Sequence, residues 1–281
     1  TDQISGIGTV FVTREASGSI SMGMSSSAYS INALGRAEVN SVATQTNGLT
    51  IDGTQSRSLG FIAYQYNAQG HLTGAHNNAG APLVVSFLGR TVSASNAALA
   101  TISGDAFGNV TTAVVENTHS IVANRDVHPL SFTRATTFNQ VNGSVSHTVS
   151  GTETSFELAT ALITRVQDAS IQSLQARMGT QFSGSNMPGL TQTGEAMPDG
   201  RAGSITFTRG NGGELTTAWT ENIYRSFSAR PGQWRARQSV TTAVTTTPSQ
   251  TNSISRSGRE TLYDNMANVT GAKDLRLFLA Y

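Results

Sequence analysis

The chain has no cysteine, and it carries one lysine, Lys273, against seventeen arginines. Charged residues make up only 12% of its 281 positions and balance to a formal net charge of +1. Each scarcity excludes something. Without cysteine there is no disulfide framework, no thiol nucleophile and no thiolate metal site. Without clustered Lys or Arg, no specific nucleic-acid recognition through phosphates is expected. The densest basic stretch, Arg225, Arg230, Arg235 and Arg237, reads as a solvated arginine face. No apolar run approaches the ~20 residues of a membrane helix. Aromatic residues are few, at 7%, which weakens any sugar-stacking platform. No phosphate loop is present: Gly6 and Gly8 lack a third glycine and a following helix, and Gly210 to Gly213 lacks Lys and Ser/Thr.

What remains is Ser, Thr, Asn and Gly, with β-branched residues throughout. The hydrophobic fraction of 37% is below the usual range. Even so, low charge with many β-branched residues is unlike a disordered chain. The expected setting of a cysteine-free chain of this kind is extracellular or virion, with a cytoplasmic one as the alternative. The chain opens at Thr1, which implies removal of an initiator Met or of a leader.

The local pattern is that of strands. Thr9 to Arg14 is β-branched and aromatic, and Gly18 to Met24 is placed to pair with it. Further strands are predicted over Ala28 to Leu34, Ala37 to Thr46, Leu59 to Tyr66, Leu83 to Leu88, Val110 to Val115, Ser131 to Phe138, Ile205 to Arg209, Leu215 to Tyr224 and Gln238 to Thr247. Strict alternation is clearest at Ser144 to Ser150, where Val145, His147 and Val149 share one face. Asn47-Gly48, Asp52-Gly53, Asn142-Gly143, Asp199-Gly200 and Asn211-Gly212 are hairpin-turn signals, because these residues tolerate positive φ.

One segment departs from this. Apolar residues at helical spacing between Glu157 and Met178, a Thr154/Glu157 capping box and Gly179 as a stop predict one amphipathic helix over about 154–178. The expected fold is therefore mainly β, an antiparallel sandwich or barrel-like set of sheets carrying one substantial helix. Long polar loops are predicted at Ala68 to Pro82 and Ser183 to Gly203. The second marks off a β-rich part over 1–190, including the helix, from a β-rich part over 191–281, either as two domains or as two parts of one.

No residue set converges on catalysis. His71 and His76 lack a nearby third ligand in sequence, so no metal site is expected there. Asp126 and His128 would share a face if extended and could orient a general base, but the stretch before Pro129 reads as a surface turn. No G-x-S-x-G elbow accompanies them. No catalytic, cofactor-binding or metal-ligating residue is assigned, and no cofactor is expected. Trp219, Tyr224 and Trp234 with Arg235 and Arg237 are the candidate binding edge.

The favoured expectation is a structural subunit of a large homo-oligomer, such as a viral capsid or tail component or an extracellular fibre subunit. Its partners would be copies of itself, with other assembly proteins or a surface ligand as further partners. The candidate assembly contacts are the apolar terminal strands: Ile4, Ile7, Val10 and Val12 at one end, Leu275, Leu277 and Leu279 at the other. The alternatives are a secreted pore-forming or adhesin-type protein, suggested by hydroxyl-rich strands, and then a hydrolase on a β scaffold.

Overall fold

The computed structural model describes residues 3–16, 18–78, 81–178 and 200–275. The fold is mainly β, in large antiparallel sheets, with one short helix among the described residues. Backbone packing divides the chain into two units, residues 1–129 with 135–141, and residues 130–134 with 142–281. The boundary expected near residue 190 lies outside the described residues.

The first unit is built from long hairpins. β1 (Gln3–Arg14), β2 (Ile20–Ile31), β3 (Ala37–Leu49) and β4 (Gln55–Tyr66) form an antiparallel meander. β5 (Leu72–Asn77) pairs with β4. β6 (Leu83–Phe87) and β7 (Arg90–Ala94) make a separate two-stranded ribbon. β8 (Leu99–Gly104) returns to pair with β4, and β9 (Asn109–Val122) and β10 (Arg125–Asn139) continue the order. The turns follow the sequence: Gly53 sits at φ +83°, where a side chain would be strained, in the tight Thr50–Thr54 reversal. Between β9 and β10, Ala123 and Asn124 both take positive φ, the geometry of a two-residue hairpin turn.

The second unit contains β11 (Val145–Phe156), β12 (Ile163–Ser170), α1 (Ile171–Met178), β13 (Arg201–Ala202), β14 (Ser204–Arg209), β15 (Leu215–Ser226), β16 (Trp234–Thr246), β17 (Asn252–Tyr263) and β18 (Val269–Asp274). Its sheet runs β11-β14-β15-β16-β17-β18. β11 forks: Val145–Ser150 pair with β14, while Thr152–Phe156 pair with β12. Gly151 stands at the fork because a Cβ there would come within 2.6 Å of the Phe132 ring. Phe132, Val149, Leu174, Ile205, Trp219 and Val244 are the centre of the core, and α1 packs over β11, β12 and β14.

Four local expectations are corrected. The helix covers only Ile171–Met178, because Ile163, Thr164 and Val166 are β-branched and find a ladder against Thr154 and its neighbours. Its cap is Ser170, whose Oγ accepts from Ser173 N at 3.2 Å. Asn47-Gly48 lies inside β3 rather than at a turn, and part of the expected loop over 68–82 is β5. Arg125 to Pro129 belongs to β10, so it is not a surface turn.

Candidate functional site

Residues paired across an antiparallel ladder project to the same side of the sheet. In the first unit, Val10 pairs with Met24 and Val12 with Met22. Ile20, Met22 and Met24 pair in turn with Leu49, Asn47 and Gln45. Asn47 and Gln45 then pair with Arg57 and Leu59, and these with Ile102 and Ala100. One face therefore runs continuously from β1 to β8.

Half of that face is covered. Val85 of the β6–β7 ribbon packs with Ala100, Ile102 and Val110 in one core, flanked by Leu59, Leu83, Phe87 and Val92. Across β1 to β3, nothing among the described residues lies on it. Val10 is 71% exposed, Val12 67% and Met22 53%, with Ile20, Met24 and Leu49 also exposed. These six side chains present on the order of 500 Å² of apolar surface, within the size range in which the largest patch of a monomer is often functional. β1 pairs with β2 alone among the described residues, and Arg14 is its only charged residue, so the strand carries little to deter edge pairing.

The expected contacts at Val10 and Val12 lie on this open face. Ile4 and Ile7 lie on β1, opposite Tyr29 and Ser26, but their side chains fall outside the described residues. Leu275 is half-buried and its N–H donates to Gly258 O at 2.8 Å. Leu277 and Leu279 fall outside the described residues. Ile20, Met22, Met24 and Leu49 join Val10 and Val12 on the open face, and the alternation Ile20-x-Met22-x-Met24 is their signal in the sequence.

A second cluster lies where β5, β9 and β10 come together. The β9–β10 turn brings His119 alongside Asp126 and His128. His119 Nδ1 is 3.0 Å from both carboxylate oxygens of Asp126, and His128 Nε2 is 3.3 Å from Asp126 Oδ2. The two imidazoles meet edge to face, 4.9 Å between ring centres. His119 and Asp126 are nearly enclosed, with 6% and 11% of their side chains exposed, whereas His128 keeps 41%. Asn77 on β5 accepts from His119 Nε2 at 2.8 Å. Burial, with the Asp126 charge adding to it, pushes the Tyr64 phenol pKa above its ordinary value. The sequence showed Asp126 and His128 as a same-face pair. It could not show His119 and Asn77, which arrive through strand pairing. His71 and His76 do not join this group.

The expected binding edge does not assemble. Trp219 is a core residue at 1% exposure, not an exposed edge, because its partners Ile205 and Thr242 are themselves buried. Tyr224 donates to Asp168 Oδ1 at 2.9 Å, and burial, then the Asp168 charge, raises its pKa far above the ordinary value. Trp234 lines a cavity of about 410 Å³ with Ile163, Arg225 and Phe227. Arg235 is exposed, and Arg237 pairs with Glu260 at 2.9 Å. Lys273 donates to the other Glu260 oxygen at 2.9 Å, and the two cations hold that carboxyl below its ordinary pKa. His147 does lie on the half-buried face of β11, where burial lowers its pKa. No helix is long and apolar enough to cross a membrane among the described residues. No protein-family model matches the sequence, and no curated protein matches it.

Proposed function

We propose that the protein is a structural subunit that works as a homo-oligomer, joined through the β1 edge and the apolar face of β1 to β3. The supporting observation is the change along a single sheet face: covered over β4, β8 and β9, and, among the described residues, open over β1 to β3. Three long strands with no buried side chain among the described residues have little to hold them flat in water; such sheets are stable when a hydrophobic face packs on something. The occupant that fits is a second copy of the same face. It is apolar and nearly uncharged, so it is self-complementary without a charged partner, and an isologous contact needs only that. Two facing patches of this size approach the ~800 Å² per partner of a standard interface once their polar rims are included.

The test is sedimentation velocity on the full chain and on the double variant Val12→Asp, Met22→Asp. The wild type should associate with rising concentration, and the variant should stay monomeric with an unchanged circular dichroism spectrum. A wild type that is monomeric at every concentration, with or without liposomes, overturns the proposal. A monomer that oligomerises only on liposomes transfers support to the pore-forming alternative.

A further inference from the structure

The cluster at His119 has a proton too few or a cation too few. Asn77 settles the matter of tautomer. Its Nδ2 donates to Asn96 O at 2.8 Å and to Asn117 O at 2.9 Å, so the amide is held in one orientation with Oδ1 toward His119. An amide oxygen only accepts, so His119 Nε2 carries the hydrogen in the 2.8 Å contact. In the neutral ring, Nδ1 is then a bare lone pair. It faces two carboxylate oxygens at 3.0 Å, which are acceptors as well. His128 Nε2 also points into this space, buried at the atom, 3.3 Å from Asp126 Oδ2 and without a hydrogen bond. His119 Nδ1, the Asp126 carboxylate and His128 Nε2 converge on one point, where a cation would satisfy all three.

We propose that His119 Nδ1, Asp126 Oδ2 and His128 Nε2 bind a divalent transition-metal ion of the zinc class. The donor set is two imidazoles and one carboxylate, which suits borderline ions and not calcium or magnesium. The spacing fits. Bonds of ~2.0–2.2 Å in tetrahedral directions put ligand atoms roughly 3.3 Å apart. Two edges of the triangle are 3.0 and 3.3 Å, and all three atoms lie within 4.8 Å of one another. The third edge closes by movement of His128, the most exposed of the three. The outer shell is already in place: a metal-bound imidazole ordinarily donates its other N–H to a fixed acceptor, which is the role of Asn77 toward His119. One carboxylate leaves a dication with net positive charge. A water or an anionic donor would fill the fourth position.

The competing occupant is a proton, which would make His119 an imidazolium paired with Asp126. Isothermal titration of the full chain with ZnCl2 separates the two. The expected result is one Zn²⁺ per chain, with affinity reduced at least 100-fold in His128→Ala and unchanged in His71→Ala. His128 is the variant of choice because its side chain is partly exposed and its removal leaves the sheet intact. A second measurement needs no variant: Co²⁺ added to the wild type should give the intense visible absorption of a four- or five-coordinate site. Absence of one-to-one zinc binding, equal affinity in His128→Ala, or a cobalt spectrum no stronger than that of the aqueous ion would each overturn the site and leave the proton as occupant.

Discussion

Two stretches of one sheet face in the first unit carry similar alternating patterns and meet different fates. Ile102 and Ala100 on β8 are fully buried under the β6–β7 ribbon, while Met22 and Met24 on β2, further along the same face, are exposed. Strand pairing is equally complete in both places. What differs is the cover. The ladder therefore sets which side a residue faces, and packing from outside the ladder sets whether that side stabilises the fold. On β8 the apolar side chains contribute to folding. On β1 to β3 they stay exposed among the described residues.

The largest effect that would break this comparison is at the covered end. Ile102→Ala should cost about 2–5 kcal/mol of unfolding free energy, as large-to-small changes in a packed core do. Urea denaturation with matched slopes measures it. A cost near zero would mean that the ribbon does not hold the core as described.

The next effect probes the far side of β1 and β2. Phe11 pairs with Gly23, and a Cβ built at Gly23 would sit 2.2 Å from the Phe11 ring. The distal end of the ring thus sits over the glycine, and Phe11 is less exposed than its neighbours Val10 and Val12. Gly23→Val should lift the ring and destabilise the hairpin by about 1–3 kcal/mol, in line with overpacking elsewhere. Faster amide exchange confined to β1 and β2 is the expected readout. Uniform exchange would show that Phe11 has no role in holding β1.

At the open end the expected effect on folding is smaller. Val12→Ser and Met22→Ser should change the unfolding free energy of the monomer by no more than about 0.5 kcal/mol, the range for exposed sites. Sedimentation should respond where denaturation does not. A core-like cost in dilute monomer would mean that the face is already covered, and would remove the reason for self-association.

The sequence made the β class and most strand positions legible, because period-2 alternation and the Asn/Asp-Gly turns act over short range. Helical spacing over 154–178 overstates the helix, which covers Ile171–Met178. Leu158, Leu162 and Val166 fit helical spacing, but Leu158 is one of the most exposed hydrophobic residues and Val166 faces Thr154 across a ladder. Periodicity could not register that β11 offers a second pairing partner. Trp219 was misread for a similar reason, since its burial depends on neighbours on β14 and β16. The His119 cluster was half legible: Asp126 and His128 are two residues apart, whereas Asn77 and His119 are separated by 42 positions and meet only in the folded sheet.

The two outer strands sharpen the contrast on a smaller scale. β1 is long and nearly uncharged. β18 is six residues long and carries Lys273 and Asp274, the kind of charge that discourages edge pairing. Lys273 pairs directly with Glu260 on β17, and Arg237 on β16 grips the same carboxylate, so three strands are tied at one point. Hydrogen bonds from Lys273 and then Arg237 depress the Glu260 pKa in the folded state. A depressed folded pKa means stability that is present above the unfolded value, ~4.3 for a free glutamate, and lost as pH falls through the lower folded value. Amide exchange in β18 should therefore be slow and nearly pH-independent, after correction for intrinsic rates, above about pH 5. Protection should then decline as the solution is acidified further. In Glu260→Gln that decline should vanish, leaving β18 less protected at neutral pH. An acid-induced loss of protection that persists in Glu260→Gln would assign the effect to other carboxylates and detach β18 from this tie.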